Sequence, residues 1–129
     1  MYNVGEQTVD VRKDVKFDAS GVVNGKITHA AQGSQVVIEE AGDFYVGVSA
    51  CAAGPYQMAL MLNSRMAVTL GSGPGVQQTS AQVIVRIRED DLPSKLSLRN
   101  YASLGPVLLR TFAGGSEKNI TASLTIVKL

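Results

Sequence analysis

The side chains in this sequence that could carry chemistry are few and scattered. His29 is the only histidine and Cys51 the only cysteine, so a Ser-His-Asp or Cys-His arrangement would have to be built on these single residues. No Gly-x-Ser-x-Gly nucleophile turn accompanies them. Zinc-type centres want several Cys or His ligands, and the chain offers one of each. Gly71-Ser72-Gly73-Pro74-Gly75 has the glycines of a phosphate loop but no Gly-Lys-Ser/Thr and no helix to follow, so it reads as a loop between strands. Glu89-Asp90-Asp91 is the one cluster suited to a cation. Asp90 and Asp91 could offer calcium its hard oxygen ligands, but the ion takes about six to eight of them, and a solvated acidic turn is the simpler reading. Asn119-Ile120-Thr121 fits the glycosylation sequon in a segment expected to be a strand. Cys51, beside Val46, Val48 and Ala50, reads as a small buried hydrophobe. The expectation is a protein that is not an enzyme, with no catalytic residues and no resident cofactor, calcium being the one left open.

The elements that would position these residues are strands. In 83–87, Val83, Val85 and Ile87 alternate with Ile84 and Arg86, and in 95–99, Leu96 and Leu98 alternate with Lys95, Ser97 and Arg99. Apolar positions two apart make one face of a strand, where a helix would need them three or four apart. With the Asp-Asp-Leu-Pro turn between them, the two runs read as a β-hairpin. Val15/Phe17, Ile27 to Ala31, Gln35 to Glu39, Asp43 to Ala53, Tyr56 to Leu62, Met66 to Leu70, Pro106 to Phe112 and Asn119 to Leu129 repeat the alternation, punctuated by Asn24-Gly25, Ala41-Gly42-Asp43, Gly54-Pro55 and Asn63-Ser64. Met58 to Ala67 is rich in helix formers, but it is short and lies between turn signals, so the strand reading is preferred. The last segment is apolar enough to be a central strand. The expected fold is all-β, an antiparallel two-sheet sandwich or barrel of about ten short strands. Residues 1–12 read as an N-terminal arm, and 13–129 as a single domain.

Composition narrows the function. Hydrophobic residues at 45% and charged residues at 18% are ordinary for a globular chain and argue against disorder. A net charge of +1 carries no bias toward nucleic acid or anionic membrane, and with no tryptophan a base-stacking surface is not expected. No run approaches the ~18 apolar residues of a membrane span, so a soluble chain is expected, with any export signal outside it.

In a sandwich one face of each strand fills the core and the other meets water. Several outward positions here are apolar: Ala59 and Met61 opposite Met58, Leu60 and Leu62; Ile84 opposite Val83 and Val85; Val127 opposite Ile126. In a chain without helices the available cover is another copy of itself, so a homo-oligomer is expected. Tyr45, Tyr56 and Tyr101 suit either a subunit interface or the core. Arg86, Arg88, Arg99 and Arg110 fall on outward phases and read as a solvated face or one ion-paired between subunits.

Three motifs then line up in order: Gly42-Asp43-Phe44-Tyr45-Val46; Asp91-Leu92 running into Leu96-Ser97-Leu98-Arg99-Asn100; and Asn119-Ile120-Thr121-Ala122-Ser123-Leu124-Thr125-Ile126. Over residues 13–129 the chain resembles the C1q/TNF jelly-roll superfamily, most closely a bacterial branch similar to the C-terminal head of collagen-like glycoproteins on the exosporium of Bacillus-type spores. The resemblance implies a ten-stranded antiparallel jelly-roll sandwich assembled as a homotrimer, with Tyr45, Met61, Ile84, Tyr101 and Val127 as interface candidates. Some members of this superfamily carry calcium near the trimer top. The implied function is a non-enzymatic homotrimerisation head of a bacterial surface or spore-coat protein, extracellular or on the spore surface. The alternatives are a C1q-like module that binds a carbohydrate or host-protein ligand, or the head of a trimeric phage or virion fibre. The expected partners are two further copies of the chain and a collagen-like stalk upstream. No Gly-X-Y repeat is present in the sequence, and the cysteines and tryptophan of the eukaryotic branch are missing.

Overall fold

The computed structural model of the chain describes residues 1–29 and 32–129. Ala30 and Ala31, the end of the Ile27 to Ala31 run, lie outside the described residues. Among these residues the elements are strands β1 (Tyr2–Asn3), β2 (Gln7–Val9), β3 (Ile27–Thr28), β4 (Val36–Ile38), β5 (Gly42–Leu62), β6 (Arg65–Ile87), β7 (Ser94–Asn100), β8 (Val107–Leu109) and β9 (Ala122–Lys128), with one 3-10 turn at Glu89–Asp91. Every pairing is antiparallel. Met58 to Ala67 is strand, turn and strand, as its flanking turn signals required.

The frame is the long hairpin of β5 and β6, closed at Asn63, whose positive φ of 56° and side-chain bond from the Lys95 NH at 2.9 Å shape the turn. The first half of β5 pairs on one side with β9 and on the other with the second half of β6; its second half pairs with β7 and the first half of β6. Between these halves the register shifts at Gly54/Tyr56. A Cβ on Gly54 would lie 2.1 Å from the Gly73 carbonyl oxygen, so only glycine lets the two backbones cross there. Gly71 to Gly75, expected as a loop, is therefore part of β6: glycine marks loops by propensity, but it also marks close backbone approach.

Inside the curled sheet the alternation places Phe44, Val46, Val48, Ile38, Leu96, Leu98, Val107, Leu109 and Leu124 in one buried core. Each large aliphatic or aromatic side chain fully buried there contributes about 1.5–3 kcal/mol. Val15 and Phe17 join this core although their segment forms only isolated contacts, the Val15 NH donating to Leu98 O at 2.8 Å. Residues 1–12, read as an arm, supply β1 and β2.

Two expectations need correction. The runs at 83–87 and 95–99 do not form a hairpin: among the described residues β6 pairs with β5 alone, β7 pairs with β5 and β4, and the Glu89–Asp91 turn carries the chain from one edge of β5 to the other. Alternation encodes which face a residue occupies, and partner choice is non-local. The closing strand β9 is interior only at its start. β1 covers Ala122 and Ser123, Met1 before it exchanges hydrogen bonds with Leu124, and beyond Leu124 β9 has, among the described residues, β5 on one side only.

A candidate self-association face

On β5 the residues opposite in phase to Phe44, Val46 and Val48 are Asp43, Tyr45, Gly47 and Ser49. Register places their neighbours directly: Ile84 and Val127 flank Tyr45, Gln82 and Thr125 flank Gly47, and Ser80 and Ser123 flank Ser49. The outer face of β6–β5–β9 thus starts with an apolar row, Ile84–Tyr45–Val127, followed by rows of amides and hydroxyls, with no charged residue in any of the three. Ile84 is 63% and Val127 50% exposed, while Tyr45 between them is half-buried. The Tyr45 ring lies along its own strand, close to the space a Gly47 side chain would enter. Ser49 and Ser123 share a hydrogen bond of 2.5 Å across β5 and β9.

Charge appears at the border. Arg86 donates to both carboxylate oxygens of Asp43 at 2.7 and 3.0 Å, and these hydrogen bonds hold the Asp43 carboxyl below its usual range. A charge-free, partly apolar patch with an ion-paired rim is the composition of a protein interface rather than of a catalytic cleft.

No family model matches the chain, and no curated protein matches it. Among solved structures, the chain is similar to one titled "Structure of Eiger TNF from S. frugiperda", with a TM-score of 0.61 and 15% sequence identity over 99% of this chain and 88% of that one. The fold is a TNF-like jelly roll. At that identity the likeness speaks for architecture, and it leaves the bacterial branch resting on the sequence motifs alone.

Within this jelly roll the five interface candidates separate. Tyr45, Ile84 and Val127 are brought into one row. Met61, expected on an uncovered face, is 3% exposed, and Ala59 beside it is fully buried. Met61 sits on the middle strand of β7–β5–β6, between Ser97 and Met66, so the chain supplies its cover itself. Tyr101 follows β7, with the Arg12 guanidinium 4.9 Å from its ring centroid, and its NH bonds Gln57 in the second half of β5, away from the row. Tyr56 is a core residue whose hydroxyl meets Thr79 Oγ1 at 2.7 Å.

The other candidates fall elsewhere. Asp90 and Asp91 are exposed on the 3-10 turn, and among the described residues no group of three or more His, Cys, Asp or Glu converges. His29 Nε2 donates to Gly33 O and its Nδ1 pairs with Ser20 Oγ, each at 3.0 Å. Cys51 is buried, and burial pushes its thiol pKa up, away from thiolate chemistry. Asn119 Nδ2, the atom a glycan would need, donates to Thr111 O and Ala113 O. Arg99 pairs with Asp14 of the same chain at 2.8 Å, while the buried Arg110 Nε has no partner among the described residues.

Gln82, Thr125, Ser49 and Ser123 escaped the sequence reading. Their outward phases were visible within each strand, but Ser49 and Ser123 stand 74 positions apart and only the β5–β9 register unites them.

Proposed function

We propose that the chain is a non-enzymatic homotrimerisation module of the C1q/TNF type, with Ile84, Tyr45 and Val127 at the subunit contact. The observation that carries this reading is the exposed apolar row spanning three hydrogen-bonded strands on the sheet face opposite the core. Obligate interfaces typically bury about 2,000 Å² or more. At roughly 25 cal/mol per Å² of apolar surface, such an area covers the entropic cost of association with a surplus. The engaged His29 nitrogens and the suppressed Cys51 thiol support the non-enzymatic half of the reading.

At the finer level, the module is the head of a bacterial surface or spore-coat protein, extracellular or on the exosporium, holding a collagen-like stalk in register. The order of the three sequence motifs supports this assignment. A trimer supplies what such a stalk lacks, a strong start for three chains that associate weakly.

Light scattering on the purified chain at micromolar concentration tests the assembly. A particle of three 13.6 kDa chains is expected, and a monomer mass overturns the proposal. Fusion to a short Gly-Pro-Pro repeat tests the stalk role: the triple helix should melt higher with the head than without it, and equal melting removes that role.

A further inference from the structure

The chain has five asparagines, and four of them are tied down by their side-chain amides. Asn3 Nδ2 donates to Gly5 O at 2.7 Å and to Thr121 Oγ1 at 2.9 Å. Asn100, fully buried, donates to Val9 O and Gly105 O, and Asn119 to Thr111 O and Ala113 O. Asn63 accepts the Lys95 NH at the tip of the long hairpin. The Asn24 amide alone has no hydrogen-bond partner among the described residues, and residues 21–26 around it are all exposed.

Asn24 also precedes Gly25, the one Asn-Gly pair in the chain. Gly25 holds a φ of 70° in a turn, and a Cβ built on it would meet nothing within 4 Å. No side chain on Gly25 shields its backbone nitrogen, and glycine gives the backbone the freedom to bring that nitrogen onto Asn24 Cγ. Groups on adjacent residues react as an intramolecular pair, with no encounter to arrange.

We infer that Asn24-Gly25 is a site of spontaneous modification, at which Asn24 converts through a succinimide to aspartate and isoaspartate. The Gly25 nitrogen attacks Asn24 Cγ, and an N–C bond forms as the bond from Cγ to the side-chain nitrogen breaks. That nitrogen leaves as ammonia, taking the proton lost from the Gly25 NH. Water then adds at either carbonyl carbon of the ring, its C–N bond breaks, and the ring nitrogen recovers a proton. Opening at Cγ gives aspartate; opening at the main-chain carbonyl gives isoaspartate. Either product places a carboxylate beside Lys26 and cancels the chain's formal net charge of +1. Isoaspartate also lengthens the main chain just ahead of β3, where the Glu39 NH donates to Lys26 O at 2.9 Å.

The site goes beyond the trimerisation reading. Mass in solution decides the trimer and peptide mass decides this site, so the two fail separately. The test is incubation of the full chain in warm, mildly alkaline buffer, followed by peptide mass spectrometry and isoaspartyl methyltransferase labelling. Exchange of NH2 for OH is expected at Asn24, as a mixture of both products, before it appears at any other asparagine. Gly25→Ala places a methyl in open space and should slow the reaction about tenfold, and Asn24→Gln should abolish it at this position. Val127 of the proposed contact shares a cavity lining with Asn24, so Ile84→Glu is incubated in parallel, and equal rates are expected. An intact Asn24, earlier reaction at Asn63, a Gly25→Ala rate equal to the parent's, or conversion confined to Ile84→Glu would each overturn the assignment.

Discussion

Met61 and Ile84 hold similar side chains on outward phases of the same hairpin, yet the first is 3% and the second 63% exposed. Met61 lies on an interior strand of β6–β5–β7–β4–β3 and is flanked on both sides, whereas Ile84 lies on the outer strand of β6–β5–β9, where among the described residues β6 has no neighbour beyond it. Val127 shares that situation, because β9 has run past β1. An apolar outward residue is thus no sign of an interface by itself. It becomes one where the ribbon ends and the chain supplies nothing further.

The sharpest way to break this contrast is Met61→Asp. A carboxylate forced into that covered position should cost more than about 4 kcal/mol and leave the chain largely unfolded by circular dichroism. A melting temperature equal to the parent's would mean that Met61 is not covered by its own chain. Gly54→Ala probes the bend that separates the two halves. With its Cβ 2.1 Å from a carbonyl oxygen, the backbones must part, and a loss of roughly 1–3 kcal/mol in a denaturant melt is expected.

Ile84→Glu should do the opposite of Met61→Asp. The isolated subunit should change by no more than about 0.5 kcal/mol, because the position already meets solvent, while light scattering should show the assembly lost. Persistence of a trimer would remove Ile84 from the contact. The smallest effect belongs to Asp43→Asn at the rim. Asp43 has a lowered folded pKa, so its pairing contributes above the ordinary value of 3.8 and is lost as pH falls through the lower folded value. Parent and variant melts should therefore differ slightly at neutral pH and converge in acid. A gap that persists at low pH would show that the Asp43 charge is not its source.

Much of the fold was legible before any coordinates. Phe44, Val46, Val48 and Ala50 announced their inward face through alternation, as did Leu96 with Leu98 and Ala122 with Leu124, and all of them are buried. Gly71 to Gly75 misled because glycine has two uses, and nothing nearby in sequence distinguishes a loop from a crossing of backbones. The candidate face was half legible: Tyr45, Ile84 and Val127 were separately conspicuous, but their adjacency depends on pairings across 39 and 82 positions in the register of β5 with β6 and β9.

Local order along the chain, with its two-residue period and its turn residues, determined an all-β fold. Which apolar residues remain uncovered was decided only in three dimensions. Side-chain phase follows from neighbours in sequence, whereas cover depends on which distant strand arrives alongside, and that is settled by the packing of the whole sheet.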